Sequence, residues 1–118
     1  MAGRGDGSSE YAECYYYYYE MRIGKAKFDL DDVVYCQGEG NYTRIFLRDG
    51  QILLSCYTLK YVNTLLKLLR VSKKHAVNQA YVLLFDQNTL LMKTNVFIPV
   101  SRSRATLVRL QLTPNRLP

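Results

Sequence analysis

The sequence predicts a mainly β fold with one packing helix and a short helix near the C-terminus. Short runs rich in Val, Ile, Leu, Tyr, Phe and Thr recur between residues 14 and 100, and these residue types favour strands. Turn-forming pairs such as Asp49-Gly50 separate the runs. Residues 59–69 differ, because their apolar residues recur at helical spacing and would form one apolar face.

The N-terminal region combines a polar tail with an unusual tyrosine run. Residues 1–13 are rich in Gly, Ser and charged residues and are predicted to form a disordered tail. Cys14 and Tyr15–Tyr19 follow, and tyrosine favours strands, so a strand reaching Gly24 is expected. The alternative is that Tyr15–Tyr19 form an aromatic platform on which nucleic-acid bases stack.

The segment 28–56 predicts short strands joined by tight turns. Phe28–Tyr35 contains two short extended pieces around an acidic turn. Residues 38–41 (GEGN) form a loop, since Gly and Asn tolerate positive φ. Thr43, Ile45 and Leu47 then share one face of a strand. Asp49-Gly50 is typical of a two-residue hairpin turn, and residues 51–56 supply the return strand.

Helices and strands alternate in the remaining chain. Thr58 is predicted to cap a helix whose apolar face is Leu59, Val62, Leu65, Leu66 and Leu69. Strands are expected within 70–84, 89–93 and 96–100. Ser101 is expected to cap a short helix over 102–110, which residues 113–116 would end. The predicted folded domain is 14–112, and residues 113–118 form a C-terminal tail.

Composition limits the class of protein. The 118 residues are 48% hydrophobic and 22% charged, as expected of one globular domain. No apolar run approaches the roughly 20 residues of a membrane span, so no membrane association by a spanning helix is expected. The N-terminus has no apolar secretory segment. Three cysteines without a CxxC pair favour reduced thiols and a cytoplasmic location.

The charge is distributed unevenly along the chain. Residues 51–118 contain ten basic residues and one acidic residue, a net charge of +9. Residues 1–50 contain six basic and nine acidic residues, a net charge of −3. The strongly positive second half of the chain would attract polyanions, since neutralising their phosphates releases counterions. A nucleic acid, or an anionic membrane or acidic protein surface, is therefore the expected partner.

Catalytic and metal-binding patterns are missing from the sequence. His75 is the only histidine, and no Cys/His pair has metal-ligand spacing. The Gly38-Glu39-Gly40 triplet does not open a helix as phosphate-binding glycine loops do. We therefore expect no enzyme activity, no metal and no cofactor.

Polar and basic residues concentrate in three connections between apolar segments. Arg, Lys, Ser, Asn and Tyr supply most contacts to DNA phosphates, and Arg, Lys and Asn also contact base edges. If the three connections meet, they would form a loop-based DNA-binding surface. The three groups are Asn41, Tyr42 and Arg44; Ser72, Lys73 and Lys74; and Ser101, Arg102, Ser103 and Arg104.

Four strings in this order resemble the LytTR family, the DNA-binding module of many bacterial response regulators. They are FDLDDVVYCQGEGNYTRIFLRDG (28–50), YTLKYVNTLL (57–66), LRVSKKHAVNQAYV (69–82) and FIPVSRSRATLVRL (97–110). The resemblance covers roughly residues 20–110. It implies an elongated fold of small sheets with a packing helix, whose loops enter successive major grooves and bend the DNA.

The resemblance also implies roles for individual residues. Base contacts would come from Tyr42, or its neighbours Asn41 and Thr43, and from Lys73 and Arg102. Arg44, Lys74 and Arg104 are added as phosphate contacts from their charge and position, and Ser72 and Ser101 from their place in the same polar connections. Ser72 stands where many members have His, and Lys74 where many have Ser, so the recognised DNA sequence is expected to differ from that of a typical member.

These expectations combine into a hypothesis for function. The chain would regulate bacterial transcription by binding double-stranded DNA at promoter repeats as a homodimer, and by bending it. About twenty residues precede the matching span, which is too few for a receiver domain, so a free-standing module (or a fragment) taking its signal from a separate protein is expected. The alternatives are a module binding RNA or single strands, and a basic module binding proteins or membrane surfaces.

Overall fold

The computed structural model describes the backbone of residues 11–17 and 23–116 and the side chains of residues 28–112. Within these ranges, ten strands form a seven-stranded sheet in the order β2-β1-β5-β4-β3-β7-β6 and a three-stranded sheet in the order β10-β9-β8. The predicted mainly β fold is confirmed. The strands are β1 (Tyr11–Tyr17), β2 (Ile23–Asp29), β3 (Val33–Glu39), β4 (Tyr42–Leu47), β5 (Ile52–Ser55), β6 (Leu69–Arg70), β7 (His75–Val77), β8 (Val82–Asp86), β9 (Thr89–Met92) and β10 (Phe97–Pro99).

The N-terminal strand begins inside the segment expected to be a tail. β1 pairs antiparallel with β2 along its whole length, from Tyr11 opposite Asp29 to Tyr17 opposite Ile23. Residues 11–13 therefore belong to β1. The boundary between the N-terminal tail and the folded domain, expected after residue 13, was placed too late in the chain. The remainder of the expected tail, residues 1–10, lies outside the described residues, as does the stretch 18–22 that the predicted strand was to cross.

The central hairpin follows the predicted alternation. Thr43 and Ile45 are fully buried and Leu47 is 9% exposed, while the residues between them are more accessible. The turn is one residue longer than expected. The Leu47 N–H donates to the Gln51 carbonyl at 2.9 Å and the Gly50 N–H donates to the Leu47 carbonyl at 3.0 Å. Gly50 has φ of 92°, a conformation that glycine adopts without strain, and it closes a three-residue loop.

Helix α1 (Leu59–Leu66) ends earlier than its apolar pattern suggests. Thr58 caps its start as predicted, accepting a hydrogen bond from the Tyr61 N–H at 3.3 Å. Lys67 adopts the left-handed conformation and donates its N–H to the Asn63 carbonyl. The Asn63 side chain accepts the next N–H at 3.0 Å, so backbone groups beyond the helix are satisfied and the chain turns into β6.

Among residues 28–112, whose side chains the structure describes, two hydrophobic cores lie on opposite faces of the seven-stranded sheet. One core contains the buried face of α1, which packs on β3, β4 and β7. The other contains residues of the three-stranded sheet and of helix α2 (Ala105–Arg116). Neighbouring residues of β7 serve both cores, since Ala76 belongs to the first and Val77 to the second. The seven-stranded sheet is therefore the middle layer, and it positions the loops at its ends.

The second half agrees with expectation in one stretch and differs from it in another. The stretch 70–84, within which strands were expected, contains parts of β6 and β8, the whole of β7 and a short 3₁₀ helix (Gln79–Tyr81). The segment expected to be a helix over 102–110 begins as a 3₁₀ helix (Arg102–Arg104), and α2 then runs to Arg116. Burial of Ala105, Val108 and Leu112 extends its apolar face by a further turn. Residues 113–116 therefore belong to α2 and not to a C-terminal tail.

Candidate nucleic-acid interface

Backbone hydrogen bonds bring the three predicted segments together. The Gly38 N–H donates to the Lys74 carbonyl at 2.7 Å, and the Ser101 N–H donates to the Val71 carbonyl at 2.9 Å. The first bond joins the hairpin to the 72–74 loop because β3 and β7 are neighbours, with Gln37 opposite His75. We call the combined residues 39–44, 70–74 and 101–104 the basic surface. It contains six basic residues and one acidic residue.

The β3–β4 turn presents two of the predicted base-contacting residues. Glu39 and Tyr42 are paired across the turn, and Gly40 has φ of 63°, which permits the tight reversal. Asn41 is exposed and Tyr42 is 40% exposed. Thr43 instead turns into the core, where its hydroxyl donates to the Tyr57 carbonyl at 2.8 Å. Of the three neighbours considered for base contact, the fold thus leaves Asn41 and Tyr42 accessible.

Arg44 is engaged by the only acidic residue of the basic surface. Its Nε lies 2.6 Å from Glu39 Oε2, with both side chains about two-fifths exposed (43% and 40%). The hydrogen bond from Arg44 lowers the pKa of Glu39, and the positive charges of Arg44 and Lys74 lower it further. Glu39 is therefore ionised at neutral pH, and a phosphate approaching Arg44 would share the guanidinium with this carboxylate.

Arg70 organises the 72–74 loop, although the sequence did not single it out. Its Nε donates to the Ser72 carbonyl at 2.8 Å and its Nη2 donates to the Lys73 carbonyl at 2.7 Å. Both Lys73 and Lys74 are exposed around this anchored backbone. No local sequence pattern distinguishes Arg70 from the other basic residues, because its role depends on the loop folding back over it.

Ser72 makes hydrogen bonds within the same loop. Its hydroxyl oxygen accepts the Lys74 N–H at 3.2 Å and lies 3.2 Å from His75 Nδ1. Burial lowers the pKa of His75, and the charge of Lys74 lowers it further. A neutral His75 can accept a hydrogen bond at Nδ1 from the Ser72 hydroxyl. The only histidine in the chain therefore supports the loop.

The third segment links β10 to α2. Arg102 is exposed, and Arg104 is partly buried. The Ser101 carbonyl accepts the Arg104 N–H at 3.1 Å, but the Ser101 side chain makes no capping hydrogen bond, so it is not the side-chain cap that was expected. Burial lowers the pKa of Arg70, and the positive charge of the nearby Arg104 lowers it further. The basic surface thus holds like charges close together.

Other kinds of site find no support in the described part of the chain. Across residues 11–17 and 23–116, no group of three or more His, Cys, Asp or Glu residues is placed to hold a metal ion. No helix in those same ranges is long and apolar enough to cross a membrane. The proposed stacking platform at Tyr15–Tyr19 lies outside the residues whose side chains are described.

Comparisons with known proteins agree with the fold. A family model described as the LytTr DNA-binding domain matches residues 25–113. The fold resembles a solved LytTr DNA-binding domain, from a protein described as a methyl-accepting/DNA response regulator of Bacillus cereus, with a TM-score of 0.70 and 19% sequence identity. The similarity covers 86% of this chain and 96% of that one. No curated protein sequence matches the chain.

Proposed function

The chain belongs to the LytTR family of DNA-binding domains, and we propose that it regulates transcription by recognising a specific double-stranded DNA sequence. The observation that carries this proposal is the basic surface. Three segments far apart in sequence are joined there by the Gly38–Lys74 and Ser101–Val71 hydrogen bonds. Their exposed side chains are of the types that contact phosphates and base edges.

The proposed division of roles follows exposure and existing bonds. Asn41, Tyr42, Lys73 and Arg102 are exposed and are proposed to contact bases in the major groove. Phosphate contacts are proposed for Arg44, Ser72, Lys74, Ser101 and Arg104. Within this second group, Lys74 is exposed and forms no ion pair with a carboxylate of the described residues, whereas Arg44 is held by Glu39. Lys74 is therefore the stronger test of a phosphate contact.

Two copies are proposed to act on one promoter. A single small module covers roughly 600–1,000 Å² of protein surface, so one copy binds modestly. Two copies on half-sites about one helical turn apart would bind cooperatively. Bending a site of 20–30 base pairs costs about 1–6 kcal/mol, which the added contacts of two copies must offset. A non-cooperative, one-to-one isotherm on a repeated site would count against this arrangement.

Selection from a random double-stranded DNA pool at about 150 mM salt tests the proposed function, since this ionic strength suppresses weak non-specific binding. We expect an enriched motif, present as a repeat with helical-turn spacing. Salt-sensitive binding without enrichment would refute sequence recognition. Equal binding to single-stranded DNA or RNA would instead favour a single-strand module. Salt-sensitive binding to anionic vesicles, with no DNA preference, would favour a membrane-surface module.

Two substitutions separate base contact from phosphate contact on the selected operator. Arg102→Ala should weaken operator binding by about 1–3 kcal/mol and relax discrimination at one base position. Lys74→Ala should weaken operator and random DNA alike, and reduce the slope of log affinity against log salt by about 1. If both variants lose affinity equally on both DNAs, the proposed division of roles is wrong.

A further inference from the structure

A cavity lies between the basic surface and the start of α1. Its volume is about 240 Å³. A water molecule occupies about 30 Å³ in the liquid, so the cavity has room for a phosphate group together with several waters. Among the residues whose side chains are described, four basic residues line it and no acidic residue does. They are Lys60, Arg70, Lys73 and Lys74.

The cavity exists because α1 approaches the β3–β4 turn closely. A Cβ atom at Gly38 would lie 3.1 Å from Leu59 Cβ, which is tighter than ordinary packing, so glycine allows the helix to sit against the strand. Thr58 caps this end of α1 and lines the cavity with Gly40. The opposite wall is the 72–74 loop, held to Gly38 through the Lys74 carbonyl and anchored by Arg70.

None of the basic residues that line the cavity forms an ion pair with a carboxylate of the described residues. Arg70 is partly desolvated and lies near a second guanidinium, Arg104, which makes its positive charge less favourable. Glu39, the only acidic residue of the basic surface, is bonded to Arg44. Holding like charges at a partly buried site is costly, and a bound anion removes that cost.

We propose that this cavity binds a phosphate group, with Lys60 and Arg70 acting beside Lys74. The proposal rests on the proposed DNA-binding function, because the expected ligand is a phosphodiester of the bound DNA. The cavity is continuous with the basic surface through Lys73 and Lys74, so a strand crossing that surface passes its opening. A free phosphate would offer the same oxygen chemistry, and the experiment separates the two sources.

Lys60→Gln tests the site, with Lys67→Gln as its matched control. Both lysines are exposed and lie at opposite ends of α1, Lys60 beside the cavity and Lys67 at the C-terminal cap. Each variant removes one charge. Affinity for the selected operator and for random DNA is measured across a salt series, and circular dichroism checks that each variant is folded. Separately, thermal unfolding without DNA is followed as inorganic phosphate is added.

If the ligand is a phosphodiester of DNA, Lys60→Gln should weaken binding to both the operator and random DNA. It should also reduce the slope of log affinity against log salt by about 0.9, while Lys67→Gln should change neither the affinities nor the slope. If the ligand is free phosphate, inorganic phosphate should stabilise the wild type but not Lys60→Gln, and the salt slope of Lys60→Gln should equal that of the wild type. That result would overturn the proposal that the ligand is a phosphodiester of DNA. If the slope is unchanged and phosphate has no effect, the site itself is overturned. Wild-type operator preference would survive that result, so failure of the site is distinct from failure of the proposed function.

Discussion

Arg70→Lys should weaken specific DNA binding without changing the net charge. In the wild type, the Arg70 guanidinium donates to the carbonyls of Ser72 and Lys73 at 2.8 and 2.7 Å. A lysine ammonium has no planar fork and cannot reproduce both bonds from one position. The 72–74 loop would therefore lose its anchor, and the exposed side chains of Lys73 and Lys74 would have to be ordered when DNA binds.

The size of the effect follows from the two lost bonds. A hydrogen bond involving a charged group contributes about 1.5–3 kcal/mol. One of the two Arg70 bonds is exposed, and water replaces part of its contribution. We therefore take about 1.5–3 kcal/mol for both together, which corresponds to a loss of roughly 10- to 150-fold in operator affinity. Ordering one residue costs about 1–2 kcal/mol, so freeing the loop accounts for an effect of this size.

Fluorescence anisotropy titrations on the selected operator and on a scrambled duplex at one salt concentration would measure this effect. Operator affinity should fall, while affinity for the scrambled duplex stays within about twofold, since random DNA is held mainly by charge. Arg48→Lys is the matched control. Arg48 pairs with Asp32 at 3.0 Å at the other end of β4, away from the basic surface. Operator binding by Arg70→Lys that equals that of Arg48→Lys would refute the role of Arg70 in ordering the loop.

Three further predictions concern stability. Asn78→Ala should lower the free energy of unfolding, measured in urea, by about 2 kcal/mol. The Asn78 side chain donates to the buried Val33 carbonyl at 2.8 Å, and the substitution would leave that acceptor without this hydrogen bond. A change no larger than that of exposed Asn41→Ala would contradict this. Thr58→Ala should cost about 1 kcal/mol through loss of the α1 cap, seen as a lower urea midpoint with an unchanged m value. Burial lowers the pKa of His75 in the folded protein from its ordinary value of 6.5. As the pH falls, His75 is therefore protonated at a higher pH in the unfolded chain than in the folded one. The protein should therefore be most stable above about pH 6.5 and should lose stability as the pH falls below that value. Thermal melts between about pH 5 and 8 should show a weaker decline of melting temperature in His75→Gln than in the wild type.

Local patterns were enough for the elements whose signals lie within a few residues. The alternation of Thr43, Ile45 and Leu47 correctly predicted the buried face of β4, because strand side chains point to opposite faces in turn. Thr58 correctly predicted the start of α1. The end of α1 was less predictable, since its apolar spacing continues to Leu69, while the Asn63 backbone and side chain and the left-handed Lys67 stop the helix.

Longer-range pairing decides which sheet each strand within 70–84 joins. β7 pairs with β3 in the seven-stranded sheet, and β8 pairs with β9 in the three-stranded sheet. A strand that serves two sheets must be broken between them, and the 3₁₀ helix Gln79–Tyr81 provides the break. The β3 partner of β7 lies far away in sequence, so local patterns do not specify which sheet each of these strands joins.

The sequence by itself determined the mainly β class, the basic half of the chain and the order of motifs that resembles the LytTR family. It also supplied the residue types of three basic connections, because these properties depend on composition and on neighbours in the chain. Only the tertiary structure decided that the connections meet, that Glu39 engages Arg44, and that Arg70 anchors the 72–74 loop. Those contacts follow from strand order, which places β3 between β4 and β7. Strand order is set by the burial of two cores at once, and the arrangement of the candidate site follows from it.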